Sequence, residues 1–376
     1  MIRNKINTKY LISLGVSVLL AFLVGALILL CTGRNPLRAY GAMLSGAFSN
    51  RRHIGDVLEY AMVLAVCGLA CDLGSRVGIF NVGGEGQLLL GAIAAAQVGA
   101  ALDGVTAWAV IPLAALAAIL TGALYALIPG VLKVKLKVNE VITTIMLNTV
   151  AAYLCQFLAK GPWRSSDPRM VAATEELSPR YWFGGLMGAS NLSTAIFAAA
   201  IIAFLVWYVM QKTTLGFEMK LTGQNPRFAR FSGLRIDRKI ILCMAISGAM
   251  CGLVGMFRVF GAEHQYKSSI SSDYYFEGLM VAMIARYQPL TTILLAIFFA
   301  VLKVGAEGLQ QVGVPNQIYL IIQTVIIFFM AAQSGFLEAA AANPRLRRLL
   351  SGRKKPPAGA DAHTGAEPDE KGGAAQ

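Results

Sequence analysis

Apolar runs close to the length of a membrane-crossing helix recur along almost the whole chain, and nothing else in the sequence narrows the possible folds as much. "YLISLGVSVLLAFLVGALILLCTG" (Tyr10 to Gly33) and "STAIFAAAIIAFLVWYVMQ" (Ser193 to Gln211) are two of them. Hydrophobic residues make up 56% of the chain and charged residues 14%, against about a quarter charged in soluble domains. No stretch is left for a sizeable soluble domain. Hydrocarbon offers the backbone no hydrogen-bond partner, so each run has to satisfy itself as a helix. The fold class is therefore all-α, a polytopic membrane protein.

Ten hydrophobic spans are expected, at roughly 11–31, 57–73, 88–102, 107–130, 141–159, 193–211, 239–260, 276–286, 290–305 and 316–333. The eighth is too short to cross unaided. The first follows the basic start "MIRNKINTKY" and is too long for a signal peptide, without a small-residue cleavage site, so it reads as a retained anchor. With the N-terminus inside, "LKVKLK", the segment 212–239 and the tail "RLRRLLSGRKK" also lie inside, and the inside segments hold about two-thirds of the 33 Lys and Arg. Arg34, Arg38, Arg51 and Arg52 fall in the first outside loop, of a kind that enters the membrane as short helices. Both termini are expected on the cytoplasmic side. The domain division is a membrane domain over 1–335 and a basic tail over 336–376, whose Gly, Pro, Ala and charge leave too little apolar surface to fold.

Several chemistries are excluded. The net charge of +13 is spread over loops without a nucleic-acid motif, so it reflects topology and not a nucleic-acid partner. The six cysteines all sit in apolar segments, and "CGLAC" has no histidine beside it, so neither metal nor disulfide is expected. His53, His264 and His363 are read as surface residues, and no Ser-His-Asp arrangement exists. No catalytic residue, metal or resident cofactor is expected.

The informative places are where the apolar pattern breaks. "RVGIFNVGGEGQLLLG" (Arg76 to Gly91) puts a glutamate, an asparagine and five glycines between two apolar runs. Glycines free backbone groups and Glu85 is costly near hydrocarbon, so the segment is packed in protein or lines a wet cavity. Glu85 either neutralises the helix start at Gly86 and Gln87 or lines a path, and Glu277 has the same two readings. The Lys-Ser/Thr end of a nucleotide-phosphate loop is missing.

A second break, "SSDYYFEGLMVAMIARYQPL" (Ser271 to Leu290), opens a short apolar segment with Phe-Glu-Gly much as the first opens with Gly-Gly-Glu-Gly. "VLKVKLKVNEVITTIMLNTV" (Val131 to Val150) is echoed by "VLKVGAEGLQQVGVPNQIYLIIQTV" (Val301 to Val325) in the same order. The first half is entered from outside and the second from inside, so the halves form an inverted repeat with broken helices, the architecture of transporters. Between them, "TLGFEMKLTGQNPRFARFSGLRIDRK" is punctuated by Gly216, Gly223, Pro226 and Gly233, which predicts one or two short helices on the cytoplasmic side. A basic amphipathic piece of this kind lies on anionic lipid or docks a partner.

Together "GIFNVGGEGQLLLGA", "LKVKLKVNEVITTIMLN", "TTLGFEMKLTGQNPRFARFSGL" and "FEGLMVAMIA" resemble the permease subunits of bacterial ATP-binding-cassette importers. The superfamily is the one serving branched-chain amino acids, ribose-like sugars and nucleosides, and the motifs look like its nucleoside or simple-sugar branch. The resemblance covers nearly all of 10–335. It implies a multi-pass subunit of the bacterial cell membrane, paired with a second permease copy or paralogue. It also implies separate ATPase subunits that hydrolyse ATP, and an external substrate-binding lipoprotein. Thr214, Leu215, Gly216, Phe217, Gly223, Asn225, Pro226, Ala229 and Gly233 correspond to the ATPase-coupling region. This chain departs from the family pattern at Lys220 to Gly223 and at Ala285 to Pro289.

The expected function is nucleoside translocation by alternating access driven by ATP on the partner subunits, with simple sugars as the alternative substrate class. Asn81, Glu85, Gln87, Asn148 and Glu277 are the candidates for the path. An ion-coupled secondary transporter is the alternative of another class, since it too uses inverted repeats and intramembrane carboxylates. A channel or scaffold comes third.

Overall fold

In the computed structural model, residues 8–328 are described except 32, 189, 316 and 317. The tail expected over 336–376, the last part of the tenth span and the start of the chain lie outside the described residues. Helices follow the apolar runs in order: α1 Thr8–Cys31, α2 Pro36–Phe48, α3 Arg51–Arg76, α4 Gly84–Ala101, α5 Ala107–Leu136 and α6 Glu140–Lys160. After a long loop come α7 Ala195–Lys212, the short α8 Thr214–Gln224 and α9 Pro226–Phe231, and α10 Ile236–Arg258, which continues as a π-turn to Glu263. The chain then forms α11 Tyr274–Ile284, α12 Pro289–Gln311 and the apolar helix α13 Ile318–Phe328. No strand occurs among the described residues, only two isolated bridges, Ala173 with Lys267 and Gly185 with Ser193.

Six of these helices are long and apolar enough to cross a membrane by themselves, or seven if Val18–Cys31 and Pro36–Phe48 are taken as one bent span. Helix accompanies each of the ten sequence-predicted spans, but several do not qualify alone, for physical reasons. α4 begins with Gly-Glu-Gly-Gln, which dilutes its apolar content, and α11 is only 11 residues long, while α13 is described over Ile318–Phe328 alone. α2 is the short helix in the first outside loop, started by Asn35, whose side chain accepts from Leu37 N–H at 2.9 Å, with Pro36 following.

The helix packing is reciprocal between the halves. α3 packs on α11 and α12, whereas α10 packs on α4 and α5. That exchange equates α3 with α10, α4 with α11 and α5 with α12, as an inverted repeat requires. Both exchanges run through glycine, which lets backbones touch. A Cβ on Gly278 of α11 would lie 2.6 Å from Cys67 Cβ and 3.0 Å from Gly68 N of α3. On the other side a Cβ on Gly91 of α4 would lie 2.4 Å from Gly252 Cα of α10.

The connections gather at two ends. At one, α8 closes on the end of α3, where a Cβ on Gly223 would fall 2.3 Å from Arg76 O. At the other, Tyr181 of the 161–194 loop donates to Leu102 O and Val105 O, Leu177 N–H reaches His264 O at 2.8 Å, and Asp56 accepts from Asn191 N–H. His264 is half-buried and stacked on Trp182 at 3.7 Å between centroids, not the plain surface residue expected.

Candidate functional site

The two breaks that the sequence singles out lie against each other. α4 starts at Gly84 and α11 at Tyr274, and the ring of Tyr275 covers Gly84 so closely that a Cβ there would be 2.0 Å from a ring carbon. The Tyr275 hydroxyl donates to Asn81 O. Only glycine fits under that ring, which gives Gly84 a packing role.

Around the first break the side-chain amides bond one another and the local backbone. Asn81 is fully buried, and its amide donates to Gln87 Oε1 and Ser247 Oγ, both at 2.9 Å, while its oxygen accepts from Gly83 N–H at 3.0 Å. Asn148 reaches across from α6, accepting from Gly86 N–H and donating to Val82 O, each at 2.9 Å. A buried amide network of this kind locks one arrangement of helices because every alternative leaves a donor or acceptor dry.

Glu85 does not cap its own helix. Its carboxylate accepts from Tyr275 N–H at 3.1 Å and from the Ser271 hydroxyl, so it caps the start of α11 in the opposite half. The Gly86 N–H that sequence reasoning assigned to it is taken by Asn148, and the Gln87 N–H bonds Gly83 O. Two broken helices meeting nose to nose make the foreign cap geometrically closer than the local one.

Glu277 sits differently. Although it too is in the first turn of its helix, its carboxylate forms an ion pair with Lys303 of α12 at 2.6 Å and accepts from the Tyr60 hydroxyl of α3 at 2.5 Å. The Lys303 ammonium also lies 4.7 Å from the Tyr60 ring centroid and 5.6 Å from that of Tyr319. Glu277 and Lys303 border a cavity of about 500 Å³ between α11, α12 and α13, with Asp273, Phe276, Tyr319 and Gln323 among its walls. Beside it, Arg258 bridges Glu59 at 2.6 Å and Glu263 at 3.0 Å, and Lys267 pairs with Glu263.

Thus four of the five path candidates, Asn81, Glu85, Gln87 and Asn148, converge on one closed junction, and Glu277 alone borders the cavity. Sequence reasoning missed Tyr60, Ser247, Ser271, Asp273, Tyr275, Lys303 and Gln323. A closer look at the repeat register would have found two of these. Aligning Glu85-Gly86 with Glu277-Gly278 sets Asn81 opposite Asp273, and aligning the ends Asn-Thr-Val and Gln-Thr-Val sets Asn148 opposite Gln323.

The segment between α7 and α10, expected as one or two short helices, forms two. Thr213 opens α8 by accepting from Gly216 N–H, and Asn225 opens α9 by accepting from Phe228 N–H at 3.0 Å, with Pro226 in its first turn. Gly216 is pressed on α7, where a Cβ would lie 2.2 Å from Val209 O, and Ala229 is buried. Gly233 ends the unit at φ +80°, a left-handed turn natural to glycine. Thr214 is exposed and Leu215 half-buried at the start of α8. Phe217, Phe228 and Phe231 stand out, Phe231 being 92% exposed, among the exposed Arg227, Arg230, Arg235 and Arg238. Apolar rings held out by a firmly anchored basic unit suit a protein surface better than water.

Comparison with known proteins gives a family. Residues 53–331 match the family described as branched-chain amino acid transport system / permease component. The nucleoside ABC transporter permease protein NupB of Lactococcus lactis is 31% identical over 88% of this chain and 93% of that protein. The guanosine ABC transporter permease protein NupP of Bacillus subtilis is 32% identical over 84% and 92%. The glucose ABC transporter permease protein TsgB13 of Haloferax volcanii is 32% identical over 85% and 87%. No solved structure matches the chain.

Proposed function

Since the chain belongs to the permease-component family of branched-chain amino acid transport systems, we propose that it is the membrane subunit of an ATP-binding-cassette importer for nucleosides. The observation that carries the substrate class is the near full-length similarity to permeases named for nucleosides and guanosine. Those matches also favour ATP-driven over ion-coupled transport, because the relatives are named as ABC permeases. Simple sugars are the second reading, favoured by a glucose permease of similar identity.

The chain does no bond chemistry; ATP is hydrolysed on separate ATPase subunits that dock on α8 and α9 at the cytoplasmic face. Phe217, Phe228 and Phe231 enter the ATPase surface, and the arginines around them pair with its acidic groups. Because Gly223 sits on Arg76 O, movement of the docked unit is handed to the end of α3 and the first break. A second permease copy or paralogue completes the path, and an external lipoprotein delivers substrate. The subunit lies in a bacterial plasma membrane with both termini cytoplasmic, its basic ends against anionic lipid.

The test is uptake of radiolabelled guanosine, uridine and glucose in cells with and without this chain, with the proton gradient collapsed and ATP maintained. Nucleoside uptake that depends on the chain, survives collapse and is lost in a Phe228→Asp, Phe231→Asp double variant at equal membrane abundance supports the proposal. Uptake that stops with the gradient overturns it, and uptake of glucose alone moves the substrate to sugars.

A further inference from the structure

We propose that the cavity between α11, α12 and α13 is a nucleoside-holding station in which the Asp273 carboxylate accepts the hydroxyl protons of the ribose diol and the Gln323 amide reads the base edge. This rests on the nucleoside reading above and goes beyond it by assigning the site and the groups that select.

The argument begins with an aspartate that is not doing its ordinary task. Asp273 occupies the position before α11, where an aspartate normally accepts from the helix's own second or third N–H. Here it makes no such bond and adopts a left-handed backbone at φ +60°. The N–H it would cap, that of Tyr275, is already taken by Glu85. Asp273 is exposed on the cavity wall, and its carboxylate has no hydrogen bond or ion pair among the described residues.

The inverted repeat supplies the second observation. Asn81, equivalent to Asp273, is fully buried and bonded to Gln87, Ser247 and Gly83. Asn148, equivalent to Gln323, is spent on Gly86 and Val82. The positions that seal the first break against itself therefore stand on a cavity at the second. Asp273 is exposed and Gln323 is buried at 4%, yet neither side chain makes a hydrogen bond among the described residues, so both keep the bonding capacity that their counterparts have spent.

The cavity's chemistry fits one class. Its volume of about 500 Å³ lies within the roughly 300–1,000 Å³ of small-molecule sites. Phe276 and Tyr319 provide ring faces for a flat base, and Met280 and Ile327 an apolar wall. One carboxylate accepts both hydroxyl protons of a vicinal diol, while a primary amide donates and accepts toward a base edge. The Lys303 and Glu277 pair, tied down by Tyr60, is a fixed wall, and Asp273 is the lining carboxylate without a bond among the described residues.

The experiment compares guanosine with 2′,3′-dideoxyguanosine as imported substrates of the complete transporter, wild type and Asp273→Asn, at matched membrane abundance. Delivery is normalised by the affinity of the isolated binding lipoprotein for each nucleoside. In the wild type guanosine should enter about tenfold or more faster, since a hydrogen bond to a charged group carries about that discrimination. In Asp273→Asn guanosine uptake should fall until the two nucleosides enter within about twofold of each other. Gln323→Leu should weaken purine over pyrimidine selection without changing the diol preference. Equal losses for both nucleosides, or a diol preference kept in Asp273→Asn, overturn the station while nucleoside import stands. A wild type that imports no nucleoside overturns the functional reading and this proposal together.

Discussion

The two breaks carry the same Glu-Gly step in the first turn of a helix, yet one is closed and the other borders a cavity. At the first, Asn81, Gln87, Ser247 and Asn148 bond one another and the local backbone. At the second, Glu277 turns to Tyr60 and Lys303, while Asp273 and Gln323 stand on the cavity wall. Lysines at matching places in the repeat diverge likewise: Lys133 pairs with Glu140 at 2.6 Å beside the α5–α6 turn, and Lys303 pairs with Glu277 on the cavity wall. The lesson is that an internal repeat conserves backbone geometry while a few polar substitutions turn one copy into a clasp and the other into a wall.

The sharpest way to break this contrast is at the clasp. Gly84→Val forces a branched side chain into the ring of the fully buried Tyr275, and should cost about 3 kcal/mol or more, seen as lost monodisperse protein in detergent. Asn81→Leu leaves Gln87 and Ser247 short of a partner and should cost about 1–3 kcal/mol in thermal unfolding. Asp273→Asn at the equivalent place should stay within about 0.5 kcal/mol. Equal losses at Asn81 and Asp273 would mean the two breaks do not differ.

A finer comparison sets the glutamates side by side. Glu85→Gln keeps one acceptor for Tyr275 N–H and should lower stability without lowering uptake per folded molecule. Glu277→Gln removes the counter-charge of Lys303 and should cut uptake roughly tenfold, read as initial rates at equal abundance. The reverse ranking would place the path at the first break.

The smallest effect concerns the loop end. Burial lowers the pKa of His264, stacked on Trp182, below its ordinary value, so folding favours the neutral ring. Its contribution is complete above the unfolded value of about 6.5 and is lost as pH falls below that. Wild type should melt about 1–2 °C lower at pH 5 than at pH 7 on this account, and His264→Phe should remove that part of the dependence.

Much of the molecule was legible in its residues. The helices sit on the apolar runs because hydrocarbon permits little else, and Gly216, Gly223, Pro226 and Gly233 marked the short helices α8 and α9 by punctuating the segment between α7 and α10. The Asn81 to Glu85 and Ser271 to Glu277 breaks were visible because glycine and charge interrupt otherwise unbroken apolar sequence. Family membership was legible too, from four motifs in order. What those residues bond was not. Glu85 finds Tyr275 190 positions away, and Tyr60 finds Glu277 217 positions away. Periodicity and capping rules reach about one helical turn, whereas these partners are set by which helices cross and at what depth. Hence sequence alone determined an all-α membrane protein with two broken helices, and tertiary packing decided which break closes and which borders a cavity, because only the crossing of the two halves brings each carboxylate its partner.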